Sequence, residues 1–178
     1  MPCPVSDFSA LLQHLYRRAN EAECYRPVCC KHCGRAGLWH HGCYERKPRC
    51  RETTHHLNPI PIARFFCRFC RRTCSVLPSC LSPRRCYAWA VQQLVLVVVL
   101  TGHGDEAAAQ AGGVHPSTAA RWRRWLQRRH ERFSFAVRQH WPALGYNADW
   151  RAFWCHCLAQ WGLSDAMRRL LVDGLTVP

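Results

Sequence analysis

The spacing of apolar residues near the start of the chain predicts a short amphipathic helix. Between Ser6 and Asn20, apolar side chains recur at intervals of three and four, which places them on one helical face. Ser6 stands where an N-cap is expected. We predict that residues 1–23 form an N-terminal amphipathic helix with its stripe at Phe8, Leu11, Leu12, Leu15 and Tyr16.

A different pattern occupies residues 24–82. The segment is rich in Cys, His, Pro and Arg, and it has little helical periodicity. The alternation of Ile60, Ile62 and Arg64 is typical of a strand. We predict a β-ribbon domain here.

Helical periodicity returns in residues 83–140, which we predict to form three helices. Pro83 suits a first helical turn, and Gly112-Gly113 interrupts the pattern. Gln92 and Gln93 are expected at solvent or at an interface. The core positions expected in the first helix are Trp89, Leu94, Val97 and Val98.

Residues 141–178 predict a small C-terminal helical subdomain. One helix runs from Asp149 to Trp161, and Ser164–Asp173 is expected to close the chain with Gly174 as its C′ residue. The first helix carries an aromatic-rich stripe at Trp150, Phe153, Trp154, Leu158 and Trp161. Such a stripe suits either internal packing or an interface with another protein.

Composition describes a folded, basic protein. The 178 residues include 25 Lys or Arg and 11 Asp or Glu, which gives a formal charge of +14. That charge favours an anionic partner such as nucleic acid. Hydrophobic residues at 48% and eight Trp exclude wholesale disorder, and the length excludes a large multidomain enzyme.

The sequence predicts a cytoplasmic protein without a membrane anchor. No signal-peptide pattern opens the chain, and the most apolar stretch, Ala88–Leu100, is well short of the ~20 residues that span a bilayer. In a reducing compartment, paired cysteines indicate metal binding more often than disulfides. The fourteen cysteines therefore point to a metal site.

Two cysteine pairs have the spacing of zinc ligands. They are Cys30-Lys31-His32-Cys33-Gly34 and Cys67-Arg68-Phe69-Cys70. A C-x-x-C turn presents both sulfurs on one side, and two such turns complete a tetrahedron around Zn²⁺. We predict one structural Zn²⁺ bound by Cys30, Cys33, Cys67 and Cys70.

Other ligands stay open at this point. Cys29 can replace Cys30, and a nitrogen ligand can come from His32, His40, His41, His55 or His56. Cys155-His156-Cys157 also has metal-binding residue types, but Cys157 falls on an apolar helical stripe, so core packing is the prediction. We expect three further cysteines to be small buried residues or surface thiols, namely Cys74, Cys80 and Cys86.

Residues 105–127 predict a helix-turn-helix. Ala107–Ala109 permit close helix crossing, and a Gly-Gly-Val turn precedes a second helix that begins at His115 or Pro116. Polar residues at the start of such a helix can contact base edges, and arginines further on can contact guanine or phosphates. The predicted DNA contacts are His115, Ser117, Thr118, Arg121, Arg123, Arg124, Arg128 and Arg129. An ordinary solvated basic helix is the alternative.

With both motifs described, the chain resembles the zinc-ribbon and helix-turn-helix portion of bacterial insertion-sequence transposases and their short accessory proteins. The resemblance covers roughly residues 27–129, through the two cysteine turns, the segment LWHHGCY at 38–44, and VHPST at 114–118 leading into Arg121-Trp122. It implies a structural zinc site and recognition of the terminal DNA of a mobile element.

The resemblance stops before the catalytic part of such transposases, an RNase-H-like domain with three acidic residues. Only 47 residues follow Glu131, and their acids, Asp149, Asp165 and Asp173, lie on predicted Trp-rich helices. We therefore expect a DNA-binding protein that is not an enzyme. The aromatic stripe is expected to dock a separate catalytic transposase subunit or a second copy of the chain.

Together these patterns predict an α+β protein with a zinc-stapled β-ribbon, a trihelical helix-turn-helix unit and a small C-terminal helical subdomain. Its expected function is recognition of double-stranded mobile-element end DNA in transposition, in the cytoplasm and associated with the nucleoid. The alternatives are an autonomous transcriptional regulator, and an RNA-binding or scaffold module of a nucleoprotein complex.

Overall fold

The structure is a computed structural model that describes residues 7–20, 26–47, 49, 59–78, 80–81, 86–145 and 149–171. It contains two compact units. We call Val5–Cys86 the sheet unit and the chain from Tyr87 onward the helical unit. The predicted segment 1–23 belongs to the sheet unit from Val5, and segment 141–178 belongs to the helical unit. Several predicted positions lie outside the described residues, namely Ser6, His55, His56, Pro83 and Gly174.

Within its described residues, the sheet unit has one helix and a three-stranded antiparallel sheet. Its elements are α1 (Asp7–Asn20), β1 (Leu38–Arg46), β2 (Ile60–Cys67) and β3 (Thr73–Ser75), and the strand order is β1-β2-β3. Branched and aromatic residues make β2 a favourable central strand. The strands β1 and β2 pair from Leu38 opposite Cys67 to Arg46 opposite Ile60. The mixed α/β prediction is confirmed at this level.

Helix α1 is where predicted. Leu15 of the predicted stripe is half-buried, and the side chains of Phe8 and Leu11 lie outside the described residues. Leu12 and Tyr16 are exposed, Tyr16 at 63%, whereas His14 is buried. The His14 ring donates from Nε2 to the Pro61 carbonyl oxygen at 3.1 Å. Burial lowers the pKa of His14, which favours the neutral ring. His14 on α1 therefore has a hydrogen-bond partner on β2.

The helical unit has six helices within its described residues. They are α2 (Trp89–Leu100), α3 (Asp105–Gly112), α4 (Pro116–Arg128), α5 (His130–His140), α6 (Pro142–Gly145) and α7 (Trp150–Leu171). Four of them, α2 to α5, replace the three predicted between residues 83 and 139, because the backbone of Arg129 leaves helical geometry. Helix α7 contains a kink at Gly162, close to the predicted break between two C-terminal helices.

Helix α2 corrects two sequence predictions. Gln92 is buried rather than at solvent, and Val97, predicted in the core, is 39% exposed. Leu94 is half-buried, whereas Val98 packs against the core. Helix α2 is apolar on nearly every side and has no polar face that marks its exposed side. The spacing of its apolar residues therefore cannot identify which face is buried. Gln93 accepts a hydrogen bond from the Leu163 amide at 2.8 Å, which satisfies the backbone beside the kink in α7.

Candidate metal centre and basic helix

Two turns of the sheet unit bring four sulfurs together. Cys30 and Cys33 precede β1, Cys67 ends β2, and Cys70 lies in the turn toward β3. All four Sγ atoms lie within 4.8 Å of one another. The Sγ atoms of Cys30 and Cys70 are 3.6 Å apart, and those of Cys33 and Cys67 are 3.7 Å apart. The structure therefore assembles the predicted ligand set.

The two turns share one backbone arrangement. In each, the amide of the first cysteine donates to the carbonyl oxygen five residues later, and the amide four residues later donates back to that cysteine, at 2.7–3.0 Å. The residues that donate back are Gly34 and Arg71, and both have positive φ, 70° and 56°. Gly34 adopts this conformation without a steric penalty, whereas Arg71 adopts it against its preference.

Backbone amides favour thiolates at the first cysteine of each turn. The His32 amide donates to Cys30 Sγ at 3.4 Å, and this contact lowers the pKa of Cys30. The Cys70 amide, with help from the Phe69 amide, lowers the pKa of Cys67 to about 6. The lowered pKa favours the thiolate form of Cys67, which is the form that binds metal.

Cys70 shows the opposite balance. The Arg72 amide lowers its pKa, but burial and the neighbouring sulfurs outweigh that contact and raise the pKa to about 11. Like charges at this separation disfavour one another, which favours the neutral thiol at Cys70. A divalent cation at the centre of the cluster would remove this repulsion.

The spacing of the sulfurs also fits a metal. Tetrahedral sulfur ligands at about 2.3 Å from Zn²⁺ lie about 3.8 Å apart, close to the two shortest separations in the cluster. Within the described residues, this is the one group of three or more His, Cys, Asp or Glu that could hold an ion. The cluster excludes Cys29, His32, His40 and His41. The four cysteines could therefore hold one metal ion.

Cys74, Cys80, Cys86 and Cys157, which lie in the described part of the chain, agree with their predicted roles. Cys157 is buried in the core of the helical unit, as its place on an apolar stripe predicted. Its neighbour Cys155 is exposed. Cys74 and Cys80 are buried, whereas Cys86 is exposed.

Helices α3 and α4 meet through a left-handed residue. Gly113 has φ 61° and ψ 38°, as expected for a glycine between the two helices. Helix α4 then begins with Pro116 at its first helical position and His115 as N-cap. The His115 Nδ1 atom accepts from the Ser117 amide at 3.2 Å and lies 2.7 Å from the Ser117 hydroxyl oxygen.

Helix α4 is buried on one side and basic on the other. The buried residues are Ala119, Trp122 and Leu126. Arg121, Arg124 and Arg128 are exposed and recur at helical intervals. A shallow cleft of about 350 Å³ is lined by Arg121, Arg124, Trp125, Arg128 and Arg129. Helix α4 therefore presents a cationic surface beside an aromatic ring.

Arg123 differs from the other arginines of α4. Its guanidinium donates twice to the Asp105 carboxylate, at 2.9 Å each, and so joins α4 to α3. Hydrogen bonding by Arg123 lowers the pKa of Asp105 and raises that of Arg123. Arg123 was predicted to contact DNA, and its contact with Asp105 was not predicted. Two residues eighteen positions apart form no local sequence pattern.

The aromatic stripe of α7 is mostly internal. Phe153, Trp154 and Leu158 are buried in the core of the helical unit. The Trp154 ring meets Phe133 edge-on with centroids 4.9 Å apart. This placement corrects the docking role predicted for the three buried residues, because side chains without exposed surface cannot contact a partner. The ends of the stripe, Trp150 and Trp161, are partly buried against the same core.

Within the described residues, no helix combines the length and the apolar content required to cross a bilayer.

Comparison with known proteins places the chain in a family. A family model described as a domain of unknown function, DUF6431, matches residues 30–122, just over half of the chain. The matched segment begins at Cys30 and ends at Trp122 within α4, so it includes all four cysteines of the cluster. Neither the curated proteins nor the solved structures contain a match. The chain belongs to the DUF6431 family.

Proposed function

We propose that this chain is a zinc-stabilised DNA-binding protein in which α3, the turn at Gly113 and α4 act as a helix-turn-helix. The observation that carries the proposal is the exposed arginine surface of α4, formed by Arg121, Arg124 and Arg128. Exposed arginines on a helix are suited to phosphate and guanine contacts in a major groove. The formal charge of +14 supports a polyanionic partner such as duplex DNA.

The polar residues of α4 are assigned different tasks along its length. His115 and Ser117 lie exposed at the start of the helix, with Thr118 half-buried beside them, and Arg121 follows one turn later. We assign base contacts to this part. The phosphate contacts are assigned to Arg124, Arg128 and Arg129. Arg123 has a different task, since its guanidinium joins α4 to Asp105.

The four cysteines are proposed to bind one Zn²⁺ and to make the sheet unit a zinc ribbon. Bound zinc supplies structural cross-linking between the two turns, because each turn contributes two thiolates to the same ion. Soft thiolate ligands favour zinc or iron among the common metals. Metal analysis of the purified protein, followed by Co²⁺ substitution, distinguishes these two ions.

The ends of a mobile element are the proposed target. The support is the resemblance of the cysteine turns and of the α4 region to insertion-sequence transposases. A separate catalytic subunit, or a second copy of the chain, is the proposed partner in transposition. We assign no nuclease activity to the described residues.

Duplex binding by the zinc-loaded full chain tests the role of α4. Sites selected from a random duplex pool identify the preferred sequence. Arg124→Ala and Arg128→Ala should weaken binding to preferred and random duplexes alike, and each should reduce the salt slope by about one unit. Arg121→Ala should weaken the preferred duplex selectively. Arg151→Ala removes an exposed arginine from α7 and is the matched control.

Three outcomes would change the proposal. Unchanged duplex affinity in the Arg124→Ala/Arg128→Ala double variant would reject the role of α4. Tighter binding to structured RNA than to duplex DNA at equal salt would favour an RNA-binding module. Selected sites that map to promoters rather than to element ends would favour a transcriptional regulator.

A further inference from the structure

The sheet unit contains a cleft of about 570 Å³ that neither the metal centre nor α4 explains. It lies among the end of β1, the strand β3 and the first cysteine turn. The lining residues that matter here are Lys31, Tyr44, Arg46, Lys47, Thr73 and Ser75. A cleft of this size is in the range of small-ligand sites.

The charge of the cleft favours an anion. Lys31 and Lys47 are exposed cations, and Arg46 is half-buried. Burial lowers the pKa of Arg46, and an anion next to a partly desolvated guanidinium is stabilising. Against these three cations, Glu45 is the one acid among the described residues that line the cleft.

An aromatic ring and a further arginine lie at the same place. The Arg64 guanidinium stands over the Tyr44 ring at 6.0 Å from its centroid. It also donates to the Thr73 hydroxyl at 3.4 Å, so it connects two walls of the cleft. Tyr44 nevertheless remains 38% exposed. The cleft thus offers a ring surface next to phosphate-binding side chains.

The same combination recurs elsewhere on the sheet unit. Phe69 is 45% exposed, and the guanidiniums of Arg35 and Arg68 stand 5.2 and 4.8 Å from its ring centroid. Trp39 on β1 is 62% exposed. Exposed aromatic rings interleaved with cations are typical of proteins that bind unpaired nucleotides, because the rings stack on bases and the cations bind phosphates.

We propose that the sheet unit binds single-stranded nucleic acid in this cleft, with phosphates on Lys31, Arg46 and Lys47 and a base stacked on Tyr44. In a duplex the bases are stacked inside the helix and cannot reach a ring in a cleft, so the unpaired strand is the better occupant. The inference goes beyond the proposed function, since it assigns a second site, on the other unit, with a different ligand.

The test measures binding of a fluorescent oligothymidine of about 12 nucleotides to the zinc-loaded full chain. Tyr44→Ala should weaken binding roughly 5- to 150-fold, because one stacked base is lost, whereas Tyr44→Phe should retain most of the affinity. Lys31→Ala and Lys47→Ala should weaken binding and lower its salt slope. Arg17→Ala removes an exposed cation from α1 in the same unit and is the matched control. Zinc content verifies that each variant keeps its fold.

A parallel measurement of duplex DNA binding distinguishes the role of the cleft from that of α4. The cleft variants should leave duplex affinity unchanged, and the Arg124→Ala/Arg128→Ala variant should leave single-strand affinity unchanged. Oligothymidine and oligouridine compared at equal salt show whether DNA or RNA supplies the strand. Single-strand affinity that is unchanged in zinc-replete Tyr44→Ala and Lys31→Ala/Lys47→Ala variants would overturn the proposal. Equal losses on single strand and duplex would overturn it as well, since they would indicate a general phosphate surface.

Discussion

The helical unit and the sheet unit are held together by different physical means. In the helical unit, large side chains such as Phe133, Phe153 and Trp154 are completely buried in one continuous cluster. Among the described residues of the sheet unit, the cluster around the candidate metal centre has six buried members, and three of them are cysteines. Its one aromatic member is Phe65. Apolar burial therefore accounts for the core of the first unit, whereas the second combines a few buried apolar side chains, such as Ile60 and Ile62, with the four-cysteine cluster.

Because of this difference, we expect different changes to destabilise the two units. A small core cannot offset the conformational entropy of its chain, and small domains commonly rely on a metal for that reason. The Trp residues make the difference measurable. Trp39 lies in the sheet unit, and the other seven of the eight Trp lie in the helical unit. Trp emission therefore reports mainly on the helical unit, and zinc release reports on the sheet unit.

Loss of the metal should have the largest effect. Structural zinc sites contribute on the order of 10 kcal/mol to folding, so Cys67→Ser should unfold the sheet unit. The Trp emission of the helical unit should change little. Zinc release to a coloured chelator and Trp emission, recorded on the same samples, measure both units. Cys29→Ser is the control, because Cys29 is exposed and outside the cluster.

Two results would contradict this prediction. Full zinc occupancy in the Cys30→Ser/Cys67→Ser double variant would show that other groups hold the ion. Simultaneous loss of Trp emission and zinc would show that the two units unfold as one, and the comparison between them would fail.

Truncation of the aromatic core should have the next largest effect, and on the other unit. Trp154 is completely buried, so Trp154→Ala should destabilise the helical unit by about 3–5 kcal/mol. Zinc binding should be unchanged. Urea unfolding followed by helical circular dichroism gives the free energy, with zinc content measured in parallel. Trp39→Ala is the matched control, since an exposed Trp should change stability by no more than about 0.5 kcal/mol. A Trp154→Ala variant as stable as the wild type would refute the buried role.

Local features of the structure could be predicted from the sequence. The four cysteines were predictable because a C-x-x-C turn fixes two sulfurs within one short segment. A left-handed residue at Gly112 or Gly113 was predictable because few residue types other than glycine adopt that conformation easily, and the structure places it at Gly113. Each C-x-x-C turn, like the glycine turn, spans fewer than about six residues, so its backbone conformation follows from the local sequence.

Features that depend on distant parts of the chain could not be predicted. Gln92 was expected at solvent or at an interface and is buried, since the apolar sequence of α2 does not mark its outer face. The Asp105–Arg123 ion pair joins α3 to α4, and the two residues are too far apart in the sequence to form a recognisable pattern. The cleft beside Tyr44 takes Lys31 from before β1 and Thr73 from β3, so it exists only after the strands pair.

The two cysteine turns allow a sharper test within the sheet unit. Gly34 and Arg71 occupy equivalent positions with positive φ. Gly34→Arg should cost about 1–2 kcal/mol, because an L-residue is forced into the left-handed region. Arg71→Gly should change stability by no more than about 0.5 kcal/mol, since relief of that strain is offset by the greater freedom of glycine in the unfolded chain.

A chelator competition measures both variants through the stability of zinc binding. Gly34→Ala is the control for steric effects, because a Cβ at residue 34 meets nothing within 4 Å. It should show most of the loss of Gly34→Arg. Equal effects of Gly34→Arg and Arg71→Gly would contradict the equivalence of the two turns.

The smallest expected effect lies in the helical unit, at the ion pair between α3 and α4. Arg123 lowers the pKa of Asp105 below its ordinary value of 3.8. The pair therefore contributes stability that is fully present above pH 3.8 and is lost as the pH falls through the lower pKa of the folded state. Because both side chains are partly exposed, the contribution should be about 0.5–1 kcal/mol. Asp105→Asn should lower stability by this amount at neutral pH and should remove the acid dependence below pH 3.8.

Acid acts on the two units through different groups, which makes this last measurement a test of the comparison as well. In the sheet unit, protonation of the thiolates releases the metal, so zinc loss should have the same pH dependence in wild type and Asp105→Asn. In the helical unit, urea unfolding followed by circular dichroism should differ between the two proteins above pH 3.8 and converge below it. The matched control is Asp165→Asn, because the exposed Asp165–Arg168 pair, at 3.4 Å within one helix, should contribute nothing measurable. If Asp165→Asn and Asp105→Asn behaved alike, the Arg123 contact would be an ordinary surface pair, and its place between α3 and α4 would have no energetic consequence.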